Sequence, residues 1–217
     1  LGAGVLVPNL MGGWTTMTAL GTALSVWIAS AGLIQIGRRL RSSMPPASSW
    51  GMHLGHLGIA VFTFGVTMVG GYQEEQDVRM EPGDTVQVGG YQFRMVGVKD
   101  VQGPNYSAAR GEFEVSQNGG AAKILHPEKR NYASSTMPMT EAAIDAGFTR
   151  DVYVSLGEPL EGKAWAGRVY FKPFVDWIWG GCFVMALGGL MALLDRRYRA
   201  KSRAAATVKL PAGTQQA

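Results

Sequence analysis

One cysteine, Cys182, and three histidines, His53, His56 and His126, are all that 217 residues offer to thiol or imidazole chemistry. A lone cysteine excludes an internal disulfide framework and any CxxC zinc or redox pair. Charge is scarce as well: 17% of residues are charged and 47% hydrophobic, against a usual charged share of about 25%. Too little polar surface remains for one soluble globule, so part of the chain must face lipid. No Ser-His-Asp ordering, phosphate loop or carboxylate pair has a recognisable frame. The excess of 20 Lys and Arg over 16 Asp and Glu, with a pI near 9.3, would suit nucleic acid if it were spread over one face. It is not. Residues 1–72 hold three arginines and no acid, residues 73–173 hold 11 bases and 14 acids, and residues 174–217 hold six bases and two acids. The positive charge sits in two short clusters, and no nucleic-acid partner is expected. Leu1 has no charged n-region before an apolar stretch, so no secretory signal peptide is read here and the chain is expected to be a piece of something longer.

No charged residue occurs from Leu1 to Gly37. Within it, Trp14 to Ile36 exceeds the roughly 20 residues that cross about 30 Å of hydrocarbon and is read as a first membrane span. Leu1 to Leu10 ends in Pro8-Asn9-Leu10 and is read as the tail of an earlier span. Trp50 to Gly71, after Pro45-Pro46 and the helix-start residues Ser48 and Ser49, is a second. Trp177 to Leu194 is a third, with Trp177 and Trp179 placed as interfacial aromatics. Arg38, Arg39 and Arg41 fill the connection between the first two spans, and Arg196, Arg197, Arg199, Lys201 and Arg203 follow the third. Both clusters belong on the cytoplasmic side by the positive-inside rule. The expected order is therefore 1–72 as two transmembrane helices with a short basic cytoplasmic loop, 73–173 as a periplasmic domain, 174–195 as a transmembrane helix and 196–217 as a basic, disordered cytoplasmic tail.

The insert reads as all-β, a small sandwich or barrel. Thr85 to Val88 and Tyr91 to Val96 alternate about Gly89-Gly90, a two-residue hairpin signal. Gly111 to Val115 and Lys123 to His126 flank Asn118-Gly119-Gly120, and Val152 to Leu156 and Trp165 to Phe171 supply later strands. Thr140 to Ala146, closed by Gly147, is expected to form a short helix. Phe93, Val115 and Tyr153 are the expected core.

His53 and His56, three apart at the start of the second span, share roughly one helix face. His56 lies about 9 Å beyond Trp50 at 1.5 Å per residue. Burial in lipid disfavours imidazolium and leaves a neutral ring whose free nitrogen can ligate a metal, and ionisable groups inside membranes are functional candidates. The plainer alternative is an interfacial histidine hydrogen-bonded to a neighbouring helix, and it stands for both. Gly51, Gly55 and Gly58 suit either a close helix or a flat macrocycle. His126, beside Pro127, Glu128, Lys129 and Arg130, reads as a solvated turn residue.

Ordered strings then carry a resemblance. Trp50-Gly51-Met52 with His56-Leu57-Gly58, Asp77-Val78-Arg79-Met80, Pro82-Gly83-Asp84, Val101 to Tyr106, Glu128-Lys129-Arg130, Met139 to Asp145, Thr149-Arg150-Asp151, Tyr170 to Phe174 and Trp177-Ile178-Trp179 resemble the C-terminal part of the CcmF family, membrane haem lyases of cytochrome c maturation. The resemblance implies a protein of the bacterial inner membrane that takes haem from a haem chaperone and promotes its attachment to the CxxCH cysteines of apocytochrome c, alongside other maturation subunits. It also implies an intramembrane haem b held between transmembrane histidines, with His56, in its Gly55-His56-Leu57-Gly58 setting, as one axial ligand to the haem iron. His53 falls outside the matching pattern. The family's tryptophan-rich WWD segment, its first transmembrane ligand and its periplasmic histidine pair belong to the preceding part of the lyase. None is present, and His126 matches none of them. The chain is thus expected to be about the last third of a lyase, working with the N-terminal part of the same lyase and inactive alone. Two other functions remain open: a membrane-anchored scaffold or apocytochrome-binding module without a cofactor role, and a small b-type electron carrier. The latter would need a second chain, because residues three apart on one helix cannot reach opposite faces of one iron.

Overall fold

A computed structural model describes residues 2–13, 15–42 and 47–195. Packing separates a helical unit from a β unit spanning Met68–Asp176. The helical unit holds α1 (Gly2–Leu10), α2 (Thr16–Ser42), α3 (Ala47–Tyr72, whose last turn belongs to the β unit) and α4 (Val175–Leu194). Three of these are long and apolar enough to cross a membrane: Thr16–Arg41, Ser48–Tyr72 and Val175–Leu194, of 26, 25 and 20 residues. Their outward side chains include Leu20, Trp27, Leu33, Phe183 and Leu193, all exposed in the chain by itself. Arg38, Arg39 and Arg41 lie in the last two turns of α2 and not in a loop, where cations complement the helix dipole. The expected tail at 196–217, with its basic cluster, lies outside the described residues.

Local chemistry sets the helix ends. Thr15 caps α2: its Oγ1 accepts the Thr18 N–H (3.2 Å), and Thr18 Oγ1 accepts the Thr15 N–H (2.8 Å). At the start of α3, Asp195 Oδ2 accepts the Ser48 N–H at 2.8 Å, placing an anion where the dipole favours one. Glycines bring α3 and α4 into backbone contact. A Cβ on Gly51 would lie 2.5 Å from the Gly188 carbonyl oxygen, and one on Gly58 would lie 2.7 Å from that of Gly181. Ser25 Oγ on α2 donates to the Ala60 carbonyl of α3 at 2.8 Å. With no hydrophobic drive between helices in lipid, such close approach and hydrogen bonding hold spans together.

The β unit is a sandwich of antiparallel sheets. It comprises β1 (Glu74–Met80), β2 (Thr85–Val88), β3 (Tyr91–Gln102), β4 (Tyr106–Gln117), β5 (Lys123–Leu125), β6 (Glu128–Tyr132), β7 (Met139–Glu141), β8 (Ala143–Asp145), β9 (Arg150–Pro159) and β10 (Trp165–Pro173). One sheet runs β1-β10-β9-β8, the other β2-β3-β4-β6-β7 with β5 also on β4. Gly89 and Gly90 have φ of +58° and +77°, as a two-residue hairpin turn of the twist-matching kind requires. The inner faces meet in Met80, Phe93, Met95, Phe113, Val115, Val152, Val154, Leu156 and Val169.

Two expectations are corrected. Thr140 to Ala146 is no helix: its halves are β7 on β6 and β8 on β9, so the segment crosses from one sheet to the other. Seven residues are too few for a helix to sustain itself, whereas each half finds a strand to pair with. Asp145 is held there by Lys123 and by Arg150 (2.9 Å). Tyr153 is not in the core either, because side chains alternate across a strand. Val152, Val154 and Leu156 point inward, fully buried, and Tyr153 stacks on Tyr170 on the outer face, ring centroids 4.3 Å apart.

Candidate functional site

His56 and His53 sit in the first half of α3, and the structure gives them different surroundings. His56 is exposed on the helix surface, with Nδ1 2.8 Å from the Met52 carbonyl oxygen. A carbonyl only accepts, so Nδ1 carries the hydrogen and donates it. The ring is then in the tautomer whose Nε2 lone pair points away from its own backbone bond, the arrangement in which histidine ligates metals. His53 is the buried one, 3% exposed, and its Nε2 has no hydrogen-bond partner among the described residues. The hydrogen bond to a neighbouring helix expected of an ordinary membrane histidine is therefore not made by that nitrogen.

Two grooves flank the His56 ring. On the α2 side a cleft of about 370 Å³ is lined by Trp27, Gly32, Gln35, Met52 and His53. On the α4 side a larger cleft of about 640 Å³ runs past Ile59, Met185, Gly188, Gly189 and Ala192 to Ser48, Ser49 and Arg39. Gly55 and Gly189 in this cleft face open space, with nothing within 4 Å of where a Cβ would stand. An imidazole nitrogen over a floor without side chains, with apolar walls, suits one face of a flat, mostly apolar macrocycle. These residues would fit a haem held through the His56 ring. No group of three His, Cys, Asp or Glu among the described residues could hold a metal ion, and His126 stands exposed between β5 and β6.

The charged strings of the β unit prove structural. Glu128 is buried between Arg110 (2.6 Å) and Arg130 (2.7 Å). Burial pushes its carboxyl up, but the two guanidinium hydrogen bonds outweigh that and hold it below its ordinary value. Arg150 donates to Tyr91 Oη (2.7 Å) and the Asp145 carbonyl (2.8 Å). Burial holds Asp151 above the ordinary carboxylate value, in part offset by the Gly147 N–H. On the outer face of the four-stranded sheet, Lys172 lies over Tyr153 and Tyr170, 5.5 and 5.4 Å from the ring centres. Sequence reasoning used Arg39 only for topology and Tyr170 and Lys172 only as part of a family string, and gave none of them a place at a site.

The family model described as "CcmF C-terminal beta-sandwich" matches residues 71–173. The chain is 51% identical over 185 residues to the cytochrome c-type biogenesis protein CcmF of Pseudomonas aeruginosa, covering 82% of this chain and 28% of that protein. It is 46% identical over 184 residues to CcmF of Escherichia coli, covering 84% and 28%. The chain belongs to the CcmF family. It carries that family's C-terminal part, and it spans about a third or less of the length of these relatives. A solved structure titled Cytochrome c Heme Lyase CcmF superposes with a TM-score of 0.75 over 89% of this chain and 33% of that one. At 18% identity this likeness speaks for the fold: membrane-length helices with a β-sandwich between the second and third of them.

Proposed function

We propose that this chain is the C-terminal portion of a haem lyase of the cytochrome c maturation system, and that His56 is one axial ligand of an intramembrane b-type haem. The observation that carries the reading is the Nδ1–H bond to the Met52 carbonyl, which turns Nε2 outward between two clefts. Membrane-length spans, family membership and the names of the relatives support the rest: residence in the bacterial inner membrane, residues 73–173 in the periplasm, and work beside the N-terminal part of the lyase, a haem chaperone, apocytochrome c and other maturation subunits.

When bound, haem b supplies one-electron chemistry that keeps incoming haem iron reduced. The contribution of this chain is to bind and orient. Met52 fixes the His56 tautomer and ring plane through its carbonyl. Gly55 and Gly189 leave the floor clear, and Ile59 and Met185 give the cleft apolar walls. A second protein ligand to that group would be supplied by the N-terminal part of the lyase. Substituting His56→Ala in the complete lyase should lower b-haem content and turn the remainder five-coordinate, while His53→Ala should leave the haem spectrum nearly unchanged. An undiminished six-coordinate spectrum in His56→Ala would sink the assignment.

A further inference from the structure

The narrower groove, on the α2 side of His56, carries hydrogen-bonding groups inside membrane-length spans that the chain itself does not satisfy. Trp27 lines it near the middle of the Thr16–Arg41 span and is 70% exposed. Tryptophans of membrane helices ordinarily sit at the two interfaces, whereas at this depth lipid offers an indole N–H no acceptor. Gln35 lines the same groove eight residues on, about 12 Å farther along α2, and is exposed too. Neither side chain has a hydrogen-bond partner among the described residues. Across the groove on α3, His53 is 3% exposed and its Nε2 has none either. Between Trp27 and Gln35 the α2 wall is Ala31 and Gly32, and a Cβ on Gly32 would meet nothing within 4 Å. Residues this small let a neighbouring backbone come close.

We propose that this groove seats a transmembrane helix from the preceding part of the lyase, which bonds Trp27, Gln35 and His53 through its own amide or hydroxyl side chains; this rests on the reading that the chain is the C-terminal portion of such a lyase. Acyl chains carry no donor or acceptor and would leave all three groups unmet. The macrocycle has the wider groove on the α4 side, and its apolar faces would not meet them either. A helix does both things required. Its backbone fits against Ala31 and Gly32, and its polar side chains meet groups spread over about 12 Å, roughly two helical turns. An amide suits Gln35 best, since two amides exchange a hydrogen bond in each direction. The chain spans about a third or less of the length of its relatives, which leaves ample length for such a span in the preceding part.

The test uses the complete lyase, this chain with the preceding part, in native membranes. With the photoreactive substitution Trp27→benzoylphenylalanine or Gln35→benzoylphenylalanine, irradiation should form a link to a peptide of the preceding part, identified by mass spectrometry. A link only to lipid, to a second copy or to another maturation subunit overturns the proposal, as does no link. In detergent, Gln35→Leu should lower the melting temperature of the complete lyase by about 2–4 °C, the shift expected for one lost hydrogen bond. It should leave this chain alone unchanged, because leucine suits a position that faces lipid. Equal shifts in both preparations, or none in the complete lyase, overturn the proposal too, and the cross-link decides if the leucine variant fails to accumulate. A groove without a helix, in a lyase whose haem spectrum still depends on His56, removes this inference alone. A wild-type lyase that carries no b-haem removes the reading beneath it, whatever the cross-link.

Discussion

His53 and His56 differ by three positions and have opposite settings, which decides what each substitution should do. A buried nitrogen without a partner costs about 1–3 kcal/mol, and His53 Nε2 has none among the described residues. An apolar side chain of similar size removes that cost without opening a cavity. His53→Leu in this chain, purified in detergent, should therefore melt at the wild-type temperature or a few degrees above it. A clear drop in the melting curve would mean that His53 makes a polar contact the helical unit depends on. Glu128 is the opposite case, a buried carboxylate that is fully partnered. Its value in the folded chain lies below the 4.5 of the free side chain, so its contribution is complete above that pH and is lost as pH falls through the folded value. Asp151, held above its ordinary 3.8, works with the reverse sign and loses stability as pH rises. Glu128→Gln should cost about 1–3 kcal/mol at pH 7, at the low end because Arg110 reaches solvent. It should also flatten the acid limb of a stability profile below pH 4.5, and an unchanged limb would show that Glu128 is not held below its ordinary value.

Elements were legible where their signal is local. Charge-free length marks the three spans, and a Gly-Gly pair between alternating runs marks β2 and β3, because each rests on residues adjacent in sequence. Thr140 to Ala146 misleads for the converse reason: TEAAIDA has helix-forming composition, and only pairing with the flanking strands β6 and β9, which lie outside the segment itself, makes it two strands. The histidine span was legible from the same charge-free run, but the grooves beside His56 were not. They need α2 and α4 in place, and so does the entry of Arg39 from another helix. The glycines divide the same way. In sequence Gly51, Gly55 and Gly58 look alike, whereas in the structure Gly58 touches α4 backbone and Gly55 faces open space. Gly58→Ala should push α3 from α4 and lower stability by about 1–3 kcal/mol, the usual cost of overpacking. Gly55→Ala should fall within about 0.5 kcal/mol of wild type or gain slightly from helix propensity. Thermal melting of the two variants side by side checks this, and equal effects would mean that the close approach of α3 and α4 is not maintained.

For the molecule as a whole, the distribution of basic residues governs how the spans thread the membrane. Arg38, Arg39 and Arg41 end the first span, five more bases lie between Arg196 and Arg203 after the third, and the β unit between the second and third carries 11 bases among 14 acids. Lys and Arg near span ends resist translocation, while a long folded segment crosses largely regardless of its charge. Two spans, the second and the third, separate the clusters, so both can lie on the cytoplasmic side, and that placement sends residues 73–173 to the other side. The opposite threading would put at least eight basic residues outside, at a cost no acidic segment offsets, since acids count for little in this bias. A reporter that matures only outside the cytoplasm should be active when fused near Gly119 and inactive when fused near Ser42 or after Arg203. Activity at Ser42 would overturn the threading, and with it the periplasmic setting proposed for the β-sandwich, while leaving the fold of either unit untouched.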